Sequence, residues 1–388
     1  MTSRKAYVEN TGCISNKLTL MRVIKYLTEN DWEIVDEIKD ADIVIFNTCA
    51  FSDYSEKTCI NRIIEITPQM NEGSQLVVMG CLPKINLKKL REVFKGPVIG
   101  PNEIEKIDEI IKPKKTILDV EEGNIISSLC DDRLGSGFLT FFNKFPYKTN
   151  AEICNNFIKI STGCLGNCTY CAIKNAKGKV KSKPPEKIVG ELKQILSSGE
   201  GHIIGLISDD CGAYGLDIST TYPKLMNEIL SVEGDYDLVV GWVNPDHMIR
   251  YEAEIIPLLR SEKIKQITVP IQSGSDTVLE RMKRPYKISD VMKTLEKIKE
   301  INPKIDIYTQ FIIGFPGETE EEFRQTLEVI DRWGHIFGLV VVNRFTPRPD
   351  TEAWSMDGAI SKMEIRKRYL RLKLHILKSY VGKLLKRI

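Results

Sequence analysis

The sequence predicts an α/β protein, built as an N-terminal doubly wound α/β domain followed by a partial (β/α)6 barrel of TIM type. Three observations predict it. Short apolar strands alternate with amphipathic helical patterns over residues 1–112 and again over 151–346. The intervening stretch, 113–150, changes character: Lys112-Pro113-Lys114-Lys115 marks its start and Gly135-Ser136-Gly137 interrupts it. Cysteines stand just past the ends of predicted strands, where open α/β sheets gather their ligands.

In the first domain, Ala6-Tyr7-Val8 reads as a short strand, and Ser15 as the cap of a helix with Leu20, Ile24 and Leu27 on one face. Ile43-Val44-Ile45-Phe46 is a continuous apolar strand of the kind buried in parallel sheets. A helix over 55–66 follows, and then the strand Leu76-Val77-Val78-Met79. Cys13, Cys49 and Cys81 each follow a strand, so the alternation brings them to one site from far apart in sequence. Cys59 falls inside a helix in register with Ile63 and reads as a small core hydrophobe.

Residues 113–150 read as a linker with a short strand near Phe138-Leu139-Thr140. Neither Cys130 nor Cys154 has a partner in the sequence reading. Predicted strands of the barrel are Ile158–Ile160, Ile203–Ile207, Leu238–Val243, Ile267–Ile271, Ile307–Ile313 and Leu339–Phe345. The clearest helix starts after Pro184-Pro185, places Ile188, Leu192 and Ile195 at helical spacing, and ends before Gly199. Residues 347–388 form a basic helical tail, with ten Lys or Arg from Lys362 to Arg387 against the single acid Glu364. Leu370, Leu372, Leu374, Ile376 and Leu377 make this helix partly amphipathic. It reads either as a solvated helix packed on the body or as a phosphate-facing surface.

Composition narrows the function. A hydrophobic fraction of 42% and a charged fraction of 28% are ordinary for a soluble protein, and no apolar run approaches membrane-spanning length. Met1-Thr2-Ser3-Arg4-Lys5 leads into a strand without a signal-peptide core, which predicts a cytoplasmic protein. Ten cysteines in that compartment point to metal or catalytic chemistry rather than disulfides. A net charge of +2 gives no global field for nucleic acid.

The most specific signal is Gly163-Cys164-Leu165-Gly166-Asn167-Cys168-Thr169-Tyr170-Cys171, a C-x3-C-x2-C loop with no histidine nearby. Three thiolates from so short a loop hold three corners of a cubane iron–sulfur cluster and leave the fourth iron open. Zinc is the alternative, but it prefers four closed ligands, often as two C-x2-C pairs, and Cys211 is the only distant downstream thiol. Further polar groups cluster at the expected barrel mouth. They are Tyr170 beside the last cysteine; Ser208, Asp209 and Asp210, whose oxygens suit an ammonium group; Asn244; Gln272 and Ser273, suited to a ribose or methionyl group; and Arg344, suited to a carboxylate or phosphate. Gly314-Phe315-Pro316-Gly317-Glu318-Thr319 reads as a glycine–proline turn into an acidic helix start.

Together these motifs resemble the radical S-adenosylmethionine (SAM) methylthiotransferases over nearly the whole chain. The resemblance rests on Gly12-Cys13, Asn47-Thr48-Cys49-Ala50 and Gly80-Cys81-Leu82-Pro83 in the first domain. In the core it rests on the three-cysteine loop, Gly212-Ala213-Tyr214-Gly215, Pro270-Ile271-Gln272-Ser273-Gly274-Ser275 and the glycine–proline turn. Thr162-Gly163-Cys164 and Phe345-Thr346-Pro347-Arg348-Pro349 are most similar to the archaeal and eukaryotic branch that acts on threonylcarbamoyladenosine beside a tRNA anticodon.

The resemblance implies a 4Fe–4S cluster on Cys164, Cys168 and Cys171 that cleaves SAM to a 5′-deoxyadenosyl radical. It implies an auxiliary 4Fe–4S cluster on Cys13, Cys49 and Cys81 that carries the sulfur, and an electron donor such as flavodoxin or ferredoxin. The family usually continues into a basic β-barrel, the TRAM domain, and the sequence reading expects none here. It also departs from the family pattern at Lys177, Gln310 and Asp350. These departures favour a peptide substrate over tRNA; a small metabolite is a further option. Two other readings compete: a radical enzyme whose auxiliary cluster only relays electrons, and a non-enzymatic iron–sulfur protein.

Overall fold

A computed structural model describes residues 4–124, 154, 156–199 and 201–385. The chain divides into two compact units, one of residues 1–157 with Ala172–Gly178, the other of Ile158–Cys171 with Lys179–Ile388. The strand expected near Phe138, the Gly135-Ser136-Gly137 break and Cys130 lie outside the described residues.

The first unit carries a five-stranded sheet of β1 (Arg4–Asn10), β2 (Trp32–Ile34), β3 (Ile43–Thr48), β4 (Gln75–Gly80) and β5 (Val98–Ile99), in the order β2-β1-β3-β4-β5. Every pair in it is parallel. All six residues of β3 are buried, which is why it reads as an unbroken apolar run. Burying a side chain such as Val44, Ile45 or Phe46 contributes roughly 1.5–3 kcal/mol. The edge strands β2 and β5 escape sequence reading because they are three and two residues long.

The expected cap at Ser15 is corrected by the structure. The first helix runs Ile14–Glu29, so Ser15 lies inside it and Cys13 takes the cap position, in extended conformation and without a side-chain cap hydrogen bond. The helix expected over 55–66 begins at Asp53, because Ser52 accepts from the Ser55 amide at 3.1 Å and caps it.

The second unit, which takes in β6 (Asn156–Lys159) from Ile158 onward, holds β9 (Ile203–Ile207), β10 (Asp237–Trp242), β11 (Ile264–Thr268), β12 (Asp306–Ile313) and β13 (Phe337–Arg344), with these strands side by side in chain order. Between β6 and β9, the short strands β7 (Ser161–Thr162) and β8 (Lys181–Ser182) pair antiparallel and bracket the three-cysteine loop. The pairs from β9 to β13 are parallel, as helical crossovers require. The strand expected over Ile267–Ile271 stops at Thr268. Pro270 has no N–H for the ladder, and Gln272, at φ +74°, restores a single bridge to Phe311.

The helix Pro185–Ser198 buries Ile188, Leu192 and Ile195 and ends at Gly199 in the left-handed conformation, φ +70°. The helix Glu320–Trp333 opens with a capping box between Thr319 and Glu322. The C-terminal helix, Lys362–Leu385, packs on that helix and on β13, burying Arg368, Leu372 and Ile376. Those three stand at i, i+4 and i+8, one stripe of the helix. Leu370, Leu374 and Leu377, expected on the apolar side, are exposed instead. No described helix is long and apolar enough to cross a membrane.

Candidate metal centres

In the first unit the ends of three adjacent strands supply three thiols. Cys13 follows β1, Cys49 follows β3 and Cys81 follows β4, and these strands are neighbours in the sheet. The loops are tied together. Thr11 N–H donates to the Asn47 carbonyl and Cys81 N–H to the Thr48 carbonyl, each at 3.0 Å. Asn16 donates through Nδ2 to the same Thr48 carbonyl at 3.1 Å.

Gly80 precedes Cys81 at φ +99°, and a Cβ there would lie 2.4 Å from the Thr48 carbonyl oxygen. Only glycine permits that approach, so Gly80 is what brings Cys81 beside Cys49. Cys59 is fully buried, as its helical register implies, and its thiol donates to the Cys49 carbonyl at 3.2 Å. It props the backbone of Cys49 from behind.

In the second unit the loop between β7 and β8 is pinned at both ends. Gly163, at φ +79°, donates its N–H to Asp209 Oδ2 at 2.8 Å. Thr169 donates from N to the Met282 carbonyl at 3.2 Å and from Oγ1 to the Arg281 carbonyl at 3.0 Å, and its own carbonyl accepts from Ala353 N–H at 2.8 Å. Cys164 Sγ accepts from Gly166 N–H at 3.2 Å, and Cys168 Sγ from Arg284 Nη1 at 3.3 Å. A Cβ on Gly166 would sit 3.2 Å from the sulfur of Cys164 and 3.8 Å from that of Cys168, so the loop folds its sulfurs around this glycine.

The donor set, three thiols in each unit, suits an iron–sulfur cluster with one open iron better than zinc, which prefers four closed ligands. Among the described residues no group of three His, Cys, Asp or Glu is already gathered to hold a metal ion. Burial first, and then Asp210, pushes the Cys164 thiol up to about 12. Burial, followed by Cys13, pushes Cys49 up as well. Burial thus disfavours the thiolate at both sulfurs, so a metal bound there would have to displace a proton from each.

The polar residues expected at the barrel mouth separate into those turned inward and those that shape the loop. Ser208 Oγ pairs with Ser161 Oγ at 2.6 Å and accepts from Asp210 N–H at 3.2 Å. Asp209 holds Gly163, as described. Asp210 is 1% exposed, and its two oxygens accept from Gly212 N–H, Asn244 N–H and Asn244 Nδ2 at 3.1, 3.2 and 2.5 Å. His247 Nε2 lies 3.3 Å from the same carboxylate. Asp210 thus organises the strand ends rather than offering free oxygens to an ammonium group.

Gln272 joins β11 to β12, its N–H donating to the Gln310 carbonyl and its carbonyl accepting from Ile312 N–H, both at 2.8 Å. Ser273 is fully buried and accepts from Ser275 N–H at 3.2 Å. Tyr170 packs edge-on against Phe315, ring centroids 6.5 Å apart, so the glycine–proline turn supports the aromatic beside Cys171. Arg344 is exposed, its guanidinium 5.5 Å from the Tyr369 ring of the C-terminal helix. Cys154 is buried and donates to the Asn156 carbonyl at 3.0 Å, a local contact. Cys211 is fully buried, which pushes its thiol up and suits a core role.

Sequence reading missed Arg284 and His247, both buried polar residues joined to this network. For Arg284 the available signal is a cation inside Met282-Lys283-Arg284-Pro285-Tyr286, just past a predicted amphipathic helix.

A sequential parallel sheet with a three-cysteine loop after its first strand defines a radical SAM enzyme, and the radical SAM superfamily signature matches residues 158–330. The uncharacterized protein family UPF0004 matches residues 5–99. The chain is 34% identical over 388 residues to a probable threonylcarbamoyladenosine tRNA methylthiotransferase of Pyrococcus abyssi, covering 98% of this chain and 87% of that protein. It is 31% identical over 391 residues to the protein of the same description in Methanocaldococcus jannaschii, covering 98% and 86%. The chain belongs to the radical SAM methylthiotransferase family, whose enzymes are transferases working with a 4Fe–4S cluster and SAM. A solved radical SAM methyltransferase, TsrM from Kitasatospora setae, shares the fold with a TM-score of 0.63 at 14% identity, covering 91% of this chain and 77% of that one.

Proposed function

We propose that this protein methylthiolates threonylcarbamoyladenosine in tRNA, using two 4Fe–4S clusters. The observation that carries the reading is the pair of cysteine triads, one past three neighbouring strands of the first unit and one in the β7–β8 loop of the second. Each triad supplies three sulfurs and leaves a cubane one open iron.

Cys164, Cys168 and Cys171 would hold the cluster that delivers an electron to SAM, and Cys13, Cys49 and Cys81 the one that carries sulfur. Asp209 fixes the entry of the loop through Gly163, and Gly166 N–H donates to Cys164. Tyr170 shields the side next to Cys171, backed by Phe315. The unactivated C–H bond is beyond the reach of protein side chains, and the clusters with SAM supply that chemistry when bound. An external one-electron donor of flavodoxin or ferredoxin type completes the cycle.

tRNA replaces peptide as the substrate. The relatives that match over nearly the full chain carry tRNA in their descriptions, and no relative described above is assigned a peptide. The C-terminal helix adds exposed Arg366, Lys367 and Lys378, groups that meet phosphates on a large polyanion. The test is anaerobic incubation of reconstituted enzyme, SAM and reductant with tRNA bearing threonylcarbamoyladenosine, in parallel with bulk cellular peptides. Digestion and mass spectrometry should find the methylthio nucleoside. A methylthio group on peptides alone overturns the substrate, and hydrogen loss without added sulfur overturns the sulfur transfer.

A further inference from the structure

Arg284 is a buried cation beside a cluster thiol, with no carboxylate to balance it. It is 6% exposed. Besides the 3.3 Å bond to Cys168 Sγ, Nη2 donates to Asn244 Oδ1 at 2.9 Å and to the Pro270 carbonyl at 3.1 Å, and Nε donates to the Tyr286 hydroxyl at 3.0 Å. Tyr286 donates onward to the Ile271 carbonyl at 2.8 Å. Among the described residues no carboxylate lies within ion-pair distance of this guanidinium. A guanidinium stays charged in proteins, and an unpaired buried charge is strongly unfavourable. Cys168 is one of the three ligands assigned above, so a cluster bound there would place its anionic sulfur 3.3 Å from this cation.

The surrounding backbone is arranged to deliver this side chain inward. Lys283 adopts φ +54°, unusual for a residue with a Cβ, and the turn lets Arg284 N–H donate to the Leu279 carbonyl at 2.9 Å. The acceptor Asn244 is itself fixed by Asp210 through two hydrogen bonds. The fork is therefore held by three partners besides the thiol: Asn244, the Pro270 carbonyl and Tyr286.

Reduction adds one negative charge to the cluster. A fixed cation and an N–H···S bond stabilise that more negative state over the oxidised one, and hydrogen bonds to sulfur are among the main determinants of cluster potential. We propose that Arg284 is a positioning residue that raises the reduction potential of the cluster on Cys164, Cys168 and Cys171 and so sets how readily the external donor can fill it. This rests on the cluster assignment made above. The step is a one-electron reduction; the electron comes from the donor protein, and no bond is made or broken at Arg284.

The experiment compares Arg284, Arg284→Lys and Arg284→Gln in the chain with Cys13, Cys49 and Cys81 replaced by alanine, so that one cluster reports. Iron is counted first, then the midpoint potential is read by EPR-monitored titration. Arg284→Gln should be at least tenfold harder to reduce, a shift of 59 mV for one electron, and Arg284→Lys should stay within threefold of the parent. Equal potentials in all three, with iron retained, overturn the proposal. A parent that binds no four-iron cluster overturns the cluster assignment instead, a distinct result. A second measurement needs no substitution: with 15N-arginine incorporated, pulsed EPR of the reduced cluster should show coupling to an arginine nitrogen. Its absence overturns the proposal even where Arg284→Gln fails to hold iron.

Discussion

Arg368 of the C-terminal helix grips Glu318 of the turn after β12, with Nη1 at 2.9 Å from the Glu318 carbonyl and 3.0 Å from its Oε2. The two side chains are 6% and 1% exposed. The other oxygen of Glu318, Oε1, is buried with no hydrogen-bond partner. Burial pushes the Glu318 carboxyl up, while Gly314 N–H and Arg368 hold it down. The pair ties the basic helix to the turn that backs Tyr170.

Breaking the pair from one side leaves a buried charge alone. Arg368→Met should cost roughly 3–5 kcal/mol, and Arg368→Met with Glu318→Gln should recover much of it. Chemical denaturation of the four-member cycle measures this. Equal losses for the single and double variants would show that the ion pair is not what anchors the helix.

Glu322 supplies a pH signature. Arg281 holds its carboxyl down to about 2, with help from Thr277 and the Thr319 N–H. A depressed acid stabilises the fold above its unfolded value, about 4.3, and loses that contribution as pH falls toward 2. With Arg281 partly exposed, Glu322→Gln should cost about 2 kcal/mol at pH 7 and little near pH 2. Denaturation at both pH values checks it, and a pH-independent difference contradicts it.

Asp209 should govern how tightly the loop keeps its metal. Its hydrogen bond to Gly163 fixes the turn before Cys164. Losing a hydrogen bond to a charged acceptor costs roughly 1.5–3 kcal/mol. Asp209→Ala should therefore release iron to a chelator about tenfold faster or more, and Asp209→Asn should fall between it and the parent. Release at the parental rate from Asp209→Ala would remove Asp209 from this role.

The C-terminal helix should contribute to RNA affinity through charge alone. Arg366→Gln with Lys367→Gln should weaken binding of all tRNAs alike and lower the slope of log K against log salt by about 1 to 2. Filter binding across salt concentrations measures the slope. An unchanged slope places the RNA elsewhere.

What the sequence made legible follows from local rules. The interior strands are continuous apolar runs, so β3, β4 and β9 stand where Ile43, Leu76 and Ile203 announce them. The three-cysteine loop is equally local. The limits appear where partners are distant in sequence. Asp210 looks like an exposed acid in a loop, but Gly212 of its own loop and Asn244 and His247 of a distant segment enclose it. Arg284 stands far along the chain from the thiol it touches, and no short-range pattern links them. The basic tail misleads for a related reason: Arg368 counts as one more surface cation until Glu318 is seen beneath it. Ser15 fails as a cap because the cap falls two residues earlier, on Cys13, and the helix starts at Ile14.

The most direct measurement is iron and acid-labile sulfide per chain in the anaerobically reconstituted protein, repeated with Cys164, Cys168 and Cys171 replaced by alanine, and separately with Cys13, Cys49 and Cys81 replaced. Two cubanes predict about eight irons in the parent and about four in each triple variant, with methylthio product lost in both. About four irons in the parent, unchanged when Cys13, Cys49 and Cys81 are replaced, would contradict a sulfur-carrying second cluster.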